Sequence, residues 1–430
     1  MFAQKWHSRA RTAGPCHASA KHDGRRSIES SIRGHRIIPS GTFMEIPSAG
    51  RMQRVAESGT VRMGNMEREM KAKGVQIISF ALGEPDFDTP AHIKEAAIEA
   101  LRSGFTHYTA SKGIPELRAA IAEKSARENG IKCTPDEVLV TPTKLGIYEA
   151  ITAFVEDGDE VIVPDPGWVS YVPMVNLAGG KPVNVRVREE EDFRMTPQKV
   201  VEAITPRTTM ILLNSPSNPT GTVMTEADFK GIAELARDHN LLVLTDEIYE
   251  KLVYEGKHVS IAAMDGMYER TITLNGFSKS YAMTGWRIGW LVAHRDLMKP
   301  IDKVQQHSLT CCTSFAQKGA LAALKGPQKC VEDMFNEFRR RRDYLVERVN
   351  SSGLFECRKP TGAFYVFPRY HLKMPSLELA EKLLANAHVG MTPGSAFGEG
   401  GEGFLRISYA NSMENLKKGM DAIEDAMKKL

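Results

Sequence analysis

The stretch richest in usable chemistry is Gly276-Phe277-Ser278-Lys279-Ser280-Tyr281-Ala282-Met283-Thr284-Gly285-Trp286-Arg287-Ile288-Gly289. Lys279 follows a β-rich run, Thr271–Leu274, and stands among apolar and small hydroxyl residues. A lysine after a strand is ordinarily a solvated surface charge. Among such neighbours desolvation lowers its pKa, and the free amine can condense with a carbonyl to a Schiff base. Ser278 beside it and Arg287 eight positions on suit a phosphate, through hydroxyl donation and a bidentate guanidinium fork. Asp246 closes the continuous apolar run Leu241–Thr245, and a carboxylate at the buried end of a strand needs a partner. It could equally cap the next turn, and Glu247 offers the same chemistry. Arg406, in Phe404-Leu405-Arg406-Ile407-Ser408, places a guanidinium inside an apolar strand, which is costly unless it is paired.

Other motifs say less by composition. Pro142-Thr143-Lys144 lies between a strand and a helix, where backbone N–H groups favour phosphate. Pro142 has no N–H, and the Thr143 hydroxyl is available to compensate. Asn214-Ser215-Pro216-Ser217-Asn218-Pro219-Thr220-Gly221 is, as composition, a turn. Gly398-Glu399-Gly400-Gly401-Glu402-Gly403 spells a dinucleotide fingerprint, but a strand follows it instead of preceding it. It reads as a flexible loop, with no nicotinamide or flavin implied. Asn350-Ser351-Ser352 spells a glycosylation site.

The elements that must position these residues come from the apolar pattern. Strands are expected at Glu137–Thr141, Glu160–Val163 (ended by Pro164), Lys181–Val187, Thr209–Leu213, Leu241–Thr245, Thr271–Leu274 and Trp286–Val292. Helices are expected at Leu145–Val155 and Thr225–Asp238, then as one long stretch at His294–Leu324, and at Cys330–Val349, Ser376–Ala387 and Ser412–Lys429. Continuous apolar strands alternating with helices give an α/β fold with a mainly parallel sheet sandwiched by helices, which binds ligands at the strands' carboxyl ends. A smaller α+β domain follows. The expected division is an arm and part of the small domain at 44–88, a large domain at 89–326, and a small domain at 327–430 that the arm joins.

The 430 residues carry 56 basic and 53 acidic side chains, so net charge gives no reason to expect nucleic acid or a membrane surface as partner. No apolar run approaches the ~18 residues of a membrane span. The six cysteines form no C-x-x-C pair and point to a reducing, cytoplasmic setting, which also argues against glycosylation. Residues 1–43 hold eight Lys or Arg, four His and two acids without apolar periodicity. They read as a disordered tail or as sequence upstream of the real start, Met44 or Met52; an organelle-targeting segment fits only loosely.

Taken together, these motifs resemble the fold-type I, pyridoxal-phosphate-dependent aminotransferases of class I, and among them the bacterial and archaeal aspartate aminotransferase branch. The resemblance runs from about Met52 to Leu430, with several motifs in the family's order. It implies that Lys279 carries pyridoxal 5′-phosphate as a Schiff base and then shuttles a proton, and that Asp246 pairs with the pyridine nitrogen. It implies that Asn218 and Tyr249 share the cofactor's 3′ oxygen and that Trp168, in Asp165-Pro166-Gly167-Trp168, stacks on the ring, where core packing is its other reading. Ser278, Arg287 and Thr143 would hold the phosphate. Lys144 would reach the distal carboxylate of an acidic substrate, or simply neutralise phosphate. Arg406 would clamp the substrate α-carboxylate beneath Gly83 of Ala81-Leu82-Gly83-Glu84-Pro85-Asp86-Phe87, and Gly362-Ala363-Phe364-Tyr365 reads as packing nearby. Tyr108 would reach the phosphate in a neighbouring subunit, making the active unit a homodimer. No metal is implied.

The activity implied is ping-pong transfer of an amino group between an L-amino acid, aspartate first, and 2-oxoglutarate. Alanine, aromatic amino acids and kynurenine are alternative donors, and a lyase or cyclopropane-forming synthase uses the same cofactor residues. A cofactor-sensing transcription regulator is disfavoured, because residues 1–43 are too few for a winged helix-turn-helix.

Overall fold

In the computed structural model, which describes residues 48–55 and 59–430, the apolar runs become strands. The expectation for residues 1–43 lies outside the described residues. The strands are β1 (Ile78–Ser79), β2 (Val138–Val140), β3 (Glu160–Asp165), β4 (Lys181–Arg186), β5 (Thr208–Asn214), β6 (Leu242–Asp246), β7 (Thr271–Gly276) and β8 (Gly289–Ala293). All but β1 form one sheet in the order β2-β8-β7-β6-β5-β3-β4. Every pairing is parallel except those of β8, which runs antiparallel to β2 and β7.

Alternating side chains divide the sheet's burial between two faces. Leu212, Leu244, Ile272 and Leu291 pack with Ile147 and Ile151 of the Thr143–Phe154 helix and Ile301 of the Arg295–Ser308 helix. Ile211, Leu213 and Val243 face the other way, onto Phe229, Ile232 and Ala236 of the Glu226–Asp238 helix. A sheet buried on both faces needs strands that are apolar at every position, which is why β5 and β6 read as unbroken runs.

Three expected boundaries and the reading of one loop change. β3 passes through Pro164 to Asp165, because its pairing with β5 ends at Ile162 while that with β4 continues. The missing proline N–H therefore interrupts no pairing with β5. The His294–Leu324 stretch is two helices, Arg295–Ser308 and Ser314–Lys325, broken where Thr310 turns to φ +68°. β8 starts at Gly289 and not Trp286, since Thr284–Trp286 is a 3₁₀ turn and Arg287 sits at φ +52°. The Gly398–Gly403 loop is packed instead of flexible: the Gly400 N–H donates to Asp165 Oδ1 at 2.7 Å, and Gly400 is buried against Asp165, where a Cβ would meet its carbonyl carbon at 2.7 Å.

Toward the C-terminus, β9 (Tyr365–Val366) and β11 (Thr392–Pro393) flank β12 (Leu405–Ser408) antiparallel, and β10 (Val389–Gly390) pairs in parallel with β1. Met63 and Phe80, from the early chain, share one core with Leu379, Leu383, Met420 and Ile423. The Asn350 amide is bonded in both directions to the Cys357 backbone. Among the described residues no helix is long and apolar enough to cross a membrane.

The Glu226–Asp238 helix opens on a reciprocal cap: Thr225 Oγ1 accepts the Asp228 N–H at 3.1 Å, and Asp228 Oδ2 accepts the Thr225 N–H at 2.9 Å. Thr225→Ala is expected to cost about 1 kcal/mol, read as a lower urea midpoint at unchanged slope. An unchanged midpoint would contradict the cap's role.

Candidate active site

Parallel strands end together, so β5, β6 and β7 deliver Asn214, Asp246 and Gly276 to one edge of the sheet. The turn after each strand carries Asn218, Tyr249 and Lys279 respectively. The Thr143–Phe154 helix starts at the same edge, and Arg406 arrives on β12. They surround a cavity of about 380 Å³. Gly83, Thr143, Lys144, Trp168, Asn218, Asp246, Tyr249, Ser278, Lys279, Arg287 and Arg406 all line it. Tyr108 does not; its side chain stands 87% exposed elsewhere on the surface.

At the strand end Asp246 is 5% exposed. Burial pushes its carboxyl up to about 6, and the Glu247 charge adds to that, against hydrogen bonds that hold it down. Those come from the Tyr171 hydroxyl at 2.8 Å and the Ile248 N–H at 3.2 Å. Asn214 fixes the neighbouring backbone. Its amide donates to the Asp246 carbonyl at 2.9 Å, and its Oδ1 accepts the Asn218 N–H at 2.9 Å.

Lys279 donates its amine proton to the Gly83 carbonyl. Burial lowers that amine to about 8, with Arg406 and Arg287 adding repulsion against the attraction of Glu84 and Asp246. An amine at that value has a free fraction of about one-tenth at pH 7, far more than an ordinary lysine, and the free form is what nucleophilic and base roles require.

The cavity wall also carries the cations Lys144 and Arg287. Lys144 Nζ lies 5.2 Å from the Trp168 ring centroid, and its amine is lowered by desolvation and by Arg287. Arg287 Nη1 donates to the Thr284 carbonyl at 2.9 Å. The Thr143 hydroxyl is spent elsewhere, donating to the Asn275 carbonyl at 2.9 Å, so an anion here would meet the Thr143 backbone N–H instead of that donor. Gly276 and Gly289 close over Thr143 so tightly that a Cβ on either would collide with its Oγ1. The close approach of three chain segments at the helix start explains both glycines.

Arg406 is 4% exposed and heavily tethered. Nη1 donates to Asn218 Oδ1 at 3.0 Å, and Nη2 to the Ala81 carbonyl at 2.5 Å and Thr392 Oγ1 at 3.2 Å. Among the described residues its buried Nε has no partner, which leaves one donor of the guanidinium available to an anion in the cavity. The guanidinium stacks 4.5 Å from the Tyr365 ring, and Tyr365 bonds the Tyr249 hydroxyl at 2.8 Å. A Cβ on Gly83 would meet the Tyr365 hydroxyl at 2.6 Å. Tyr365 is thus part of the cavity wall and not only packing, because its hydroxyl faces Tyr249. Tyr171 carried no signal in the sequence, since it acts on Asp246 across 75 positions, and Asn214 read only as part of a turn.

The profile of the family described as aminotransferase class I and II matches residues 75–423. The chain is 46% identical to the aromatic-amino-acid aminotransferase 2 of Thermococcus litoralis, over 83% of this chain and 93% of that protein. It is also 46% identical to the aspartate aminotransferase of Pyrococcus abyssi, over 82% and 92%. The solved structure of the Thermus thermophilus aspartate aminotransferase with maleate superposes with a TM-score of 0.85 at 41% identity, covering 89% of this chain and all of that one.

Asp246 also makes a prediction for the ligand-free protein. A carboxyl raised from 3.8 to about 6 by folding contributes stability that is complete below its unfolded value and lost as pH rises through 6. Asp246→Asn should therefore be more stable than the parent at pH 7.5, by up to about 3 kcal/mol, with the gap closing below about pH 4. Denaturant titrations that coincide at both pH values would contradict this.

Proposed function

The chain belongs to the class I and II aminotransferases, and from that premise we propose that it moves the amino group of an L-amino acid, aspartate preferred, to 2-oxoglutarate using pyridoxal 5′-phosphate held in this cavity. The observation that carries the proposal is one cavity lined by a buried carboxylate, a lowered amine and a set of cations with a helix start beside them. A planar aromatic aldehyde with a protonatable ring nitrogen and a phosphate fits that donor set. Bound there, it would supply an electron sink for the bond-breaking carbon.

The residues divide that work. Lys279 holds the group and moves the proton at the substrate α-carbon, which its lowered amine suits. Asp246 would hold the proton on the ring nitrogen, and Trp168 would offer the ring an aromatic face. Asn218 and Tyr249 would donate to the 3′ oxygen. Ser278, Arg287 and the Thr143 backbone hold phosphate. Arg406 holds the substrate α-carboxylate beneath Gly83; its guanidinium is pre-ordered by Asn218, Ala81 and Thr392, so little entropy is lost on binding.

Two observations favour an acidic donor: Lys144 in the cavity wall, and the relative whose solved structure holds maleate, a dicarboxylate. The aromatic reading has its own support in Leu82, Ile147, Val169 and Trp168 of the lining and in the Thermococcus litoralis relative. The homodimer belongs to the same proposal. In it Tyr108 serves a neighbouring subunit's phosphate, a reading supported by its exposure and by its absence from the lining of its own cavity. So do the cytoplasmic setting and the division at 44–88, 89–326 and 327–430, which the pairing of β1 with β10 supports.

A half-reaction screen tests donor choice: the cofactor-loaded protein is mixed with each amino acid and its spectrum followed to the amine form. Aspartate is expected to react with the highest second-order rate constant. Lys144→Met should lower that constant at least ~10-fold for aspartate while changing alanine less, as loss of one charge-assisted hydrogen bond requires. Tyrosine or phenylalanine outpacing aspartate would replace this reading with the aromatic one, and pyruvate or ammonia released without an acceptor would replace both.

A further inference from the structure

Behind the cavity wall lies a second set of charges that the reaction does not use. The turn Asp246-Glu247-Ile248-Tyr249-Glu250 presents Asp246 and Tyr249 to the cavity, while Glu247 and Glu250 are buried and do not line it. Glu247 Oε2 meets His258 Nε2 at 2.9 Å, and Glu247 Oε1 accepts from Ser260 Oγ at 2.9 Å and Thr245 Oγ1 at 3.3 Å. Glu250 takes the Lys124 ammonium on one oxygen and the Asn129 amide, at 2.6 Å, on the other. Lys124 is 3% exposed, also lies 3.6 Å from Glu128, and its Nζ sits 5.7 Å from the Trp290 ring centroid. The donor atoms of Glu247, Glu250 and His258 lie within 4.8 Å of one another, a spacing a divalent cation could bridge, but Lys124 already supplies positive charge there.

From this geometry we propose that His258 and Lys124 are positioning residues for the cofactor-facing pair Asp246 and Tyr249, acting through Glu247 and Glu250. The proposal rests on the reading of the cavity as a pyridoxal phosphate site. Two buried carboxylates on one short turn repel each other, and the charge of Glu247 repels Asp246 beside it; the buried Lys124 on Glu250 and the partly buried His258 on Glu247 offset that repulsion. Burial opposes a charge on His258, yet the facing Glu247 carboxylate, with Glu250 beyond it, more than compensates and holds its pKa up against the repulsion of Lys124. Glu250 is held down to about 2, Lys124 and His258 outweighing its burial. His258, facing Glu247 at 2.9 Å, offsets the charge by which Glu247 raises Asp246, and Asp246 must be ionised to pair with a protonated ring nitrogen. The two clamps also fix the turn from behind, so that Asp246 and Tyr249 hold their direction into the cavity.

The test measures uptake of pyridoxal phosphate by the ligand-free full chain, from pH 5.5 to 8.5, by its visible absorbance. His258→Gln should weaken uptake at pH 7 by about 10-fold and move the acid limb of the profile to higher pH, the equivalent of about one pKa unit at Asp246. The double variant Glu247→Gln/His258→Gln removes both charges and keeps the hydrogen bond, and should return uptake to within about threefold of the parent. Lys124→Met should weaken uptake at pH 7 and shift the acid limb less than His258→Gln does. If His258→Gln binds like the parent, or the double variant is no better than the single, the proposal is wrong. Should His258→Gln not fold, the imidazole ¹⁵N shifts of the parent, assigned by loss of one signal in the double variant, decide: a neutral His258 at pH 7 overturns it. A parent protein that takes up no pyridoxal phosphate refutes the reading of the cavity instead.

Discussion

A carboxylate held at the buried end of a central strand is the constraint around which this structure is arranged. Asp246 sits where β6 ends, flanked by β5 and β7, and water reaches little of it. Its hydrogen-bond donors, the Tyr171 hydroxyl and the Ile248 N–H, are neutral and only partly offset the cost of ionising it. A cation arriving in the cavity therefore gains more from Asp246 than it would from a solvated acid. The fold keeps a destabilising group in its sheet so that a ligand can complete it, the familiar exchange of stability for function.

The same arrangement explains the rest of the cavity. Arg406 and Arg287 help depress the Lys279 amine, so the groups suited to binding anions also prepare the base. Arg406 is fixed by a carbonyl from the Ala81 loop, by Asn218 after β5 and by Thr392 on β11, which brings three distant parts of the sequence to one guanidinium. The Gly83 carbonyl meets Lys279 on the next stretch of that loop. Loss of order in the loop would therefore be felt at the base and at the carboxylate-binding arginine together.

What the sequence made legible was set by local chemistry. The unbroken apolar runs of β5 and β6 disclosed a covered parallel sheet, and Lys279, Asp246 and Arg406 stood out because a charge among apolar neighbours needs a reason. Partnerships that depend on folding did not show. Tyr171 reaches Asp246 across 75 positions, and Tyr365 reaches Tyr249 across 116. The Thr143 hydroxyl looked free for an anion until the close approach of Asn275 claimed it. The Gly398–Gly403 loop looked loose because composition cannot show that Asp165 packs against it. The break at Thr310 was hidden because helical periodicity continues on both sides of it.

The most direct measurement is to load the full chain with pyridoxal phosphate, reduce it with borohydride, digest it and locate the phosphopyridoxyl group by mass. The account predicts a single modified peptide, carrying the label on Lys279, and no label in Lys279→Ala. Label on Lys144 or another lysine, or an unlabelled protein, would contradict it.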